Sequence, residues 1–119
     1  VYFNEQIEHI AKGNADIILI PGYQRGERTD IICAQAKLTA FRCNAYVARS
    51  SYSMDTDENG GLSMIVAPDG KIIKNIGKDV GSISADIEPF EKYMRSAGYG
   101  EGLVKNNDFI SNGLCPEAF

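Results

Sequence analysis

The sequence predicts an α+β domain in which two helices cover one face of a mixed sheet and an extended C-terminal tail follows. Helical and strand-like segments alternate through the first half of the chain, a hairpin signal stands in the second half, and the end is rich in Gly and Asn. The 119 residues, 44% hydrophobic and 24% charged, suit one globular domain. We assign residues 1–96 to the domain and residues 97–119 to a tail that packs on it or on a neighbouring subunit.

The first helix is predicted to run from about Glu5 to Lys12. Asn4 is the expected N-cap, and Gly13 stands just past the last turn. His9 falls on the polar face of this helix. The expected apolar face consists of Phe3, Ile7, Ile10 and Ala11.

Residues 16–20 form a short β-branched run that ends at Pro21-Gly22. Because this run is apolar on both sides, it is predicted to be a central strand buried on both faces. After a polar loop, a second helix is predicted from Thr29, its expected cap, to about Asn44. Its expected core stripe is Ile31, Ala34, Leu38 and Phe41.

The rest of the domain is predicted to consist mainly of strands. One begins at Tyr46 and ends near Ser51, and residues 62–67 and 71–76 form two more. Asp69-Gly70 between them favours a type I′ hairpin turn, whose central residues both take positive φ. Residues 82–87 alternate strictly and predict a strand with inward-facing Ile83, Ala85 and Ile87.

A short helix is predicted over residues 88–96, with Pro89 in its first turn. The Gly/Asn-rich tail that follows keeps more apolar side chains than a free linker would carry. These are Leu103, Phe109, Ile110, Leu114 and Phe119. We therefore expect the tail to lie on another surface.

Charge and hydropathy exclude several partners. The net charge is −4, and no cluster of Lys and Arg could neutralise the phosphates of a nucleic acid or an anionic membrane. No apolar run approaches the ~18 residues of a membrane span, and no export leader is visible. The chain is therefore predicted to be soluble and not exported.

The cysteines predict a reduced, cytoplasmic protein. Their number is odd: Cys33, Cys43 and Cys115. Cys33 and Cys43 would lie about 15 Å apart along one helix, which is too far for a disulfide. An odd set of unpaired thiols is typical of a reducing compartment.

Two motifs resemble ligand loops without completing them. Residues 55–60 match the opening of a calcium-binding EF-hand loop, but Val66 stands where its bidentate acid belongs. Residues 98–102 resemble a phosphate-binding loop but follow a predicted helix, so a flexible tail is the better interpretation. Metal-binding Cys-x-x-Cys spacings are absent from the sequence, and no cofactor is predicted.

The residues alone give no complete catalytic constellation. His9 is the only histidine, and it falls on a solvent face. Apart from Arg42 beside Cys43, nothing near either helix cysteine in sequence would lower its thiol pKa. Buried, inert cysteines are therefore the favoured interpretation, and a small self-contained enzyme using Cys43 is an alternative.

Several segments, in order, resemble the carbon–nitrogen hydrolases of the nitrilase superfamily, from Val1 to about Pro89. Phe3-Asn4-Glu5 resembles the family's Phe-Pro-Glu, and residues 14–21 resemble its Ala-Asp step and strand ending in Pro. Residues 39–47 resemble its Arg-Ala-x-Glu-Asn-x-x-Tyr-Val helix end, with Arg42 and Cys43 in place of Glu and Asn. The most specific likeness is that of residues 61–70 to its Gly-x-Ser-x-Ile-x-x-Pro-x-Gly hairpin, followed by an Ala-Asp-Ile strand at residues 85–87.

The resemblance implies a four-layer α-β-β-α sandwich and a Glu-Lys-Cys triad in which a thiolate attacks an amide or nitrile carbon. In the family all three residues precede the position of Phe3, so the resemblance assigns no catalytic residue to this chain. The sequence begins at Val1 without Met, and we expect a C-terminal piece of a longer protein. Members of the family that hydrolyse N-carbamoyl amino acids carry arginines just after the nucleophile. This chain has Val1 and Tyr2 at those positions, which counts against an acidic carbamoyl substrate.

The resemblance also places the loop after residues 17–20 at the substrate pocket. The candidate substrate-binding residues are Gly22, Tyr23, Gln24 and Arg25. An ordinary solvent loop is the alternative for these residues. For the whole chain, the alternative to an enzyme is a non-catalytic interaction module with the same fold.

The family resemblance further implies subunits joined through helical layers. The isolated chain would expose the sheet face opposite its helices, and a large apolar patch in water favours association. We therefore expect a homodimer or a higher homo-oligomer. The second helix, with Ile31, Leu38 and Phe41, or the tail at residues 109–119, could supply the contact.

Overall fold

The computed structural model describes residues 4–22, 28–52, 61–98, 100 and 102–113. Over these residues the chain forms three helices and six strands. The helices are α1 (Asn4–Lys12), α2 (Thr29–Cys43) and α3 (Asn106–Gly113). The strands are β1 (Ile17–Gly22), β2 (Tyr46–Ser51), β3 (Met64–Val66), β4 (Ile72–Asn75), β5 (Met94–Ser96) and β6 (Leu103–Lys105).

A four-stranded sheet in the order β1-β2-β3-β4 forms the centre of the fold. β1 and β2 are parallel, and their register pairs Ile17 with Tyr46 and Gly22 with Ser51. The pairs β2–β3 and β3–β4 are antiparallel. Two neighbouring parallel strands need a crossover connection, and α2 supplies it. The predicted α+β class with a mixed sheet is confirmed.

The hydrophobic core lies between the helices and one face of this sheet. Val47, Met64 and Val66 on that face are all 0% exposed. We call the face the covered face; β1 adds Ile18, which pairs with Val47. The helix side chains buried against it are Ala11, Ile32, Ala36, Ala40 and Cys43.

The predicted core stripe of α2 is wrong. Ile31 and Leu38 are 37% and 62% exposed, whereas Ile32 is only 2% exposed. The buried face instead carries the small residues Ala36 and Ala40, which let the helix backbone lie close to the sheet. Ala34 is also exposed, and Phe41 is half-buried.

The ends of α2 differ slightly from the prediction. Thr29 is the first helical residue rather than the cap, because Arg28 holds the extended N-cap position. The helix ends at Cys43, and Asn44 caps it in the left-handed conformation with φ 53°. Asparagine tolerates this conformation better than most residues, so a C-cap without glycine is possible here.

β1 is not a central strand in the described part of the sheet, so that prediction is wrong. It lies at the edge, with Ile18 buried but Ile17 43% and Leu19 72% exposed. The register places Leu19 beside Ala48 and Ile65 on the side away from the helices. We call the surface formed by Ile17, Leu19, Ala48 and Ile65 the open face.

The hairpin between β3 and β4 forms, but not with a type I′ turn. Gly70 N–H donates to the Ala67 carbonyl at 2.9 Å, and Ala67 N–H donates to the Lys71 carbonyl at 2.8 Å. Gly70 has φ 86°, whereas Asp69 does not have a positive φ. With Pro68 at the second position, this indicates a type I turn followed by a left-handed glycine.

Residues 82–87 do not pair as a strand with any described residue, so the predicted strand is wrong. Their burial nevertheless alternates as expected, because Ile83, Ala85 and Ile87 are half-buried and the residues between them are exposed. The alternation thus correctly predicted which side chains point inward, but it wrongly predicted that the segment pairs with another strand.

The helix predicted over residues 88–96 is also wrong. Pro89 lies inside a turn in which Glu91 N–H donates to the Glu88 carbonyl at 2.9 Å, and residues 94–96 then form β5. Lys92 explains the extended path, since its Nζ donates to the carbonyls of Ala15 and Asn44 at 3.1 and 3.0 Å. The same ammonium lies 3.0 Å from Asp16 Oδ1.

The tail contains structure that the sequence did not predict. β6 pairs with β5 in an antiparallel hairpin, and α3 follows directly. The Asn106 side-chain amide donates to the Phe41 carbonyl at 2.7 Å and accepts from Arg95 at 3.1 Å. Asn106 and Asn107 are 0% and 4% exposed, so α3 is attached to α2 largely by buried polar groups.

Asn44 joins the end of α2 to the later part of the chain. Its side-chain amide donates to the carbonyl of Tyr93 at 3.0 Å and to Asn107 Oδ1 at 3.2 Å. Its side-chain carbonyl accepts the Tyr93 N–H at 2.7 Å. Fully buried, Asn44 thus bonds to the residue just before β5 and to α3, both of which lie far from it in sequence.

None of the helices in the described ranges is both long and apolar enough to cross a membrane.

Candidate ligand site at the ends of the parallel strands

The carboxyl ends of β1 and β2 form the best candidate site. Ligands in open α/β sheets bind in the crevice outside the carboxyl ends of parallel strands, because side chains and free backbone groups meet there. A cavity of about 330 Å³ lies at this edge. Its lining residues, which define the strand-end cavity, are Pro21, Gly22, Ser50, Ser51 and Tyr52.

Gly22 is the predicted site residue that the structure places in this cavity. It lies opposite Ser51 in the parallel register and has φ 152°. A Cβ atom built on it would meet no atom of the described residues within 4 Å, so these residues leave space beside the strand end. The predicted contacts of Tyr23, Gln24 and Arg25 fall on residues outside the described ranges and stay predictions.

Ser63 fixes the backbone at the wall of the strand-end cavity. Its hydroxyl accepts the Ser51 N–H at 3.0 Å and donates to the Ser51 carbonyl at 3.3 Å. The side-chain oxygen of Ser51 is buried and has no hydrogen-bond partner, unlike any other buried side-chain polar atom in the described residues. Sequence reasoning missed Ser51, although a Ser-Ser pair ending an apolar strand was the available signal.

Arg49 braces the neighbouring loop from the covered side. Its Nη1 donates to the carbonyls of Gly61 and Leu62, both at 2.8 Å, and the residue is 8% exposed. Gly61 has φ 80°, and a Cβ there would come within 3.0 Å of the Gly77 carbonyl oxygen, so only glycine fits. The entry to β3 is thereby held beside the end of β2.

A second, larger cavity of about 430 Å³ lies next to the first. It shares Pro21 and Ser50 with the strand-end cavity and extends over the open face toward the unpaired segment 81–83. Its apolar lining includes Leu19, Ala48, Ile65 and Ile83. The site therefore continues from a polar strand end onto an apolar surface.

The cysteines on α2 do not form a catalytic centre. Cys43 is 1% exposed, and its Sγ donates to the Ile7 carbonyl at 3.6 Å. Burial raises the pKa of the Cys43 thiol to about 11, although the nearby Arg42 charge opposes this effect. Arg42 itself is bound to Glu8, to Ser111 Oγ at 3.0 Å and to the Asn107 carbonyl at 3.3 Å.

The structure does not favour the alternative of a small enzyme that uses Cys43, because a protonated, buried thiol is a poor nucleophile. His9 is exposed on α1. No group of three His, Cys, Asp or Glu side chains in the described ranges is placed to hold a metal ion. The calcium-loop-like residues 55–60 lie outside those ranges.

Neither a family model nor a curated protein matches the chain. Among solved structures, the chain is similar to Nit3 of Saccharomyces cerevisiae, a member of branch 10 of the nitrilase superfamily. The TM-score is 0.50 and the sequence identity 22%, over 64% of this chain and 30% of Nit3. The likeness shows a nitrilase-like fold, and the chain spans about a third of the length of that relative.

Proposed function

We propose that this chain is the C-terminal part of a thiol-dependent carbon–nitrogen hydrolase, in which the Glu-Lys-Cys triad lies outside the chain. In its full-length form the protein cleaves a small non-peptide amide or nitrile through an acyl-enzyme intermediate. The observation that carries the proposal is the strand-end cavity at the carboxyl edge of a nitrilase-like sheet. The chain contributes a wall of the substrate pocket, including Gly22 and, by prediction, Tyr23, Gln24 and Arg25.

The state of the described thiols supports a nucleophile outside the chain. Cys43 is buried with a raised pKa, and Cys33 lies on the same helix beside the Asn75 amide. Neither lies among the lining residues of the strand-end cavity. Both are free thiols, which fits a cytoplasmic protein.

The coding sequence upstream of Val1 gives the first test. A Cys-x-Asp directly before Val1, with Lys and Glu further upstream, supports the hydrolase, whereas Ser or Ala in place of that Cys contradicts it. The full-length protein should then hydrolyse simple amides or nitriles, such as acetamide or propionitrile, and lose this activity on thiol alkylation. The 119-residue chain alone should show no enzymatic turnover, because the covalent route is absent. Alkylation-sensitive turnover by the chain alone would contradict the proposal.

The exposed open face favours a second candidate, a non-catalytic interaction module with the same fold. Leu19 at 72% and Ile17 at 43% exposure are large apolar side chains that a partner would cover. A full-length protein that lacks the upstream cysteine, hydrolyses neither substrate and still binds a partner protein would establish this candidate over the hydrolase.

We also propose that the protein assembles as a homodimer or higher homo-oligomer. On the outer side of α2, a shallow cavity of about 630 Å³ is lined by apolar Ala34, Leu38 and Phe41. Lys37, Asp69 and Lys71 line the same cavity and carry both signs of charge, so two copies could pair them across a two-fold axis. Sedimentation equilibrium of the full-length protein at micromolar concentration tests this, and a monomer with cooperative unfolding contradicts it.

A further inference from the structure

We infer that Ser51 is a substrate-binding residue. Its hydroxyl donates a hydrogen bond to, or accepts one from, a small neutral amide in the strand-end cavity. Only the choice of an amide rests on the proposed function. The site itself rests on the unsatisfied hydroxyl, the hydrogen-bonded backbone around it and the space that the described residues leave beside Gly22.

The Ser51 hydroxyl lacks a partner although its backbone groups have theirs. Ser63 satisfies both the N–H and the carbonyl of Ser51, whereas the buried Ser51 side-chain oxygen has no hydrogen bond to any residue that the structure describes. Buried polar groups in proteins are nearly always paired, because an unpaired one keeps its full desolvation cost. A ligand group that bonds to this oxygen therefore gains more binding free energy than it would from a hydroxyl that already has a hydrogen-bond partner.

Hydrogen bonds hold the backbone around Ser51, and the described residues leave room beside it. The parallel register sets Gly22 opposite, and within the described ranges a Cβ on Gly22 would meet no atom within 4 Å. Arg49 holds the Gly61–Leu62 carbonyls, and Ser63 follows them directly, so the bonds that fix the Ser51 backbone are themselves braced. The Ser51 oxygen is buried, so the side chain must turn about χ1 to bring it to a ligand in the cavity, while the hydrogen-bonded backbone stays in place.

The lining of the cavity indicates the class of ligand. Its described residues are Pro21, Gly22, Ser50, Ser51 and Tyr52, and none of these carries a formal charge at neutral pH. A volume of about 330 Å³ is at the small end of ligand cavities. A small amide suits both properties, since it is neutral and has a carbonyl acceptor and an N–H donor for a hydroxyl that can serve as either.

The experiment compares Ser51→Ala with Ser84→Ala in the full-length protein, because Ser84 is exposed and lines none of the cavities described above. Acetamide and propionamide are titrated into each variant, and binding is followed by the amide NMR shifts of residues around Gly22 and Ser51. Loss of one hydrogen bond should weaken binding about five- to tenfold in Ser51→Ala and leave Ser84→Ala unchanged. If either amide is turned over, KM should rise by the same factor with kcat within about twofold.

Thermal unfolding tests the alternative that the Ser51 hydroxyl stabilises the fold instead of binding a ligand. Removing an unpaired buried hydroxyl should leave the Tm of Ser51→Ala unchanged or raise it. A Tm well below that of Ser84→Ala would show a structural partner for the hydroxyl and overturn the inference. So would equal amide binding by the two variants, or no binding by the parent protein.

The outcomes also separate this inference from the proposed hydrolase. Amide binding at Ser51 without hydrolysis supports the inference and counts against the hydrolase. Hydrolysis with an unchanged KM in Ser51→Ala supports the hydrolase and overturns the inference.

Discussion

The two faces of the central sheet are built from similar residues but differ in exposure, most of all at β1. On the covered face, Val47, Met64 and Val66 are fully buried under α1 and α2. On the open face, Leu19 is 72% exposed although it is as apolar as its neighbours. The difference teaches that the alternation of apolar residues in a strand reports which faces are suited to burial, and not which of them the same chain covers.

The largest effect is expected from truncating the covered face. Met64→Ala removes a side chain that is 0% exposed and leaves a cavity under the helices. The free energy of unfolding should fall by about 2–5 kcal/mol, as in other buried large-to-small substitutions. Urea denaturation measures the loss. A change below about 1 kcal/mol would show that the covered face is loosely packed and that the contrast between the faces is weaker than described.

A smaller effect is expected from the ion pair at the rim of the covered face. Arg42 Nε donates to Glu8 Oε1 at 2.7 Å, and a second contact joins Arg42 Nη2 to Glu8 Oε2. Glu8→Gln should lower the free energy of unfolding by about 1–3 kcal/mol at pH 7, since a hydrogen-bonded charge is removed. Glu5→Gln, on the exposed side of the same helix, is the control and should change it far less.

The same pair gives a pH dependence with a definite sign. The hydrogen bond from Arg42 lowers the pKa of Glu8 below 4.5, against the opposing effect of burial. The pair therefore stabilises the fold fully above the unfolded pKa, and this contribution is lost as the pH falls through the lower folded value. Urea midpoints from pH 7 to pH 3 should fall less steeply in Glu8→Gln than in Glu5→Gln. Equal slopes would contradict the role of this carboxylate.

The smallest effect is expected on the open face. Leu19→Ala should change the free energy of unfolding by less than about 1 kcal/mol in this chain, because the side chain is 72% exposed. The same substitution in the full-length protein sharpens the comparison. A loss above about 2 kcal/mol there, by urea denaturation, would show that other residues or a partner cover Leu19.

Strong local patterns predicted much of this fold. α1 and the strands on either side of α2 lie where propensity and hydrophobic periodicity placed them. The Asp69-Gly70 turn was located correctly, but its type depended on Pro68, which favours a type I turn. The core stripe of α2 was wrong because periodicity favoured the larger residues, Ile31 and Leu38, while close packing selected Ala36 and Ala40.

Elements held by distant contacts could not be predicted from the sequence. Residues 94–96 form a strand because Lys92 and Tyr93 are hydrogen-bonded to Asn44 at the end of α2. No local sequence pattern indicates these hydrogen bonds. Residues 82–87 have the alternation of a strand but no described partner. At the candidate site, Gly22 was proposed from the resemblance, whereas the hydrogen bonds that hold the Ser51 backbone come from Ser63, twelve residues later.

The position of Asn44 has a consequence for the order of folding. Its side chain bonds to Tyr93, 49 residues away, and to Asn107, 63 residues away. Contacts that close such long loops form slowly, because the loop entropy is lost before the contact is gained. We therefore expect residues 92–113 to dock late, onto a β1-α2-β2 unit that is already formed. Until they arrive, the left-handed end of α2 stays hydrated, and a nascent chain that ends before Tyr93 would leave this amide without its partners Tyr93 and Asn107.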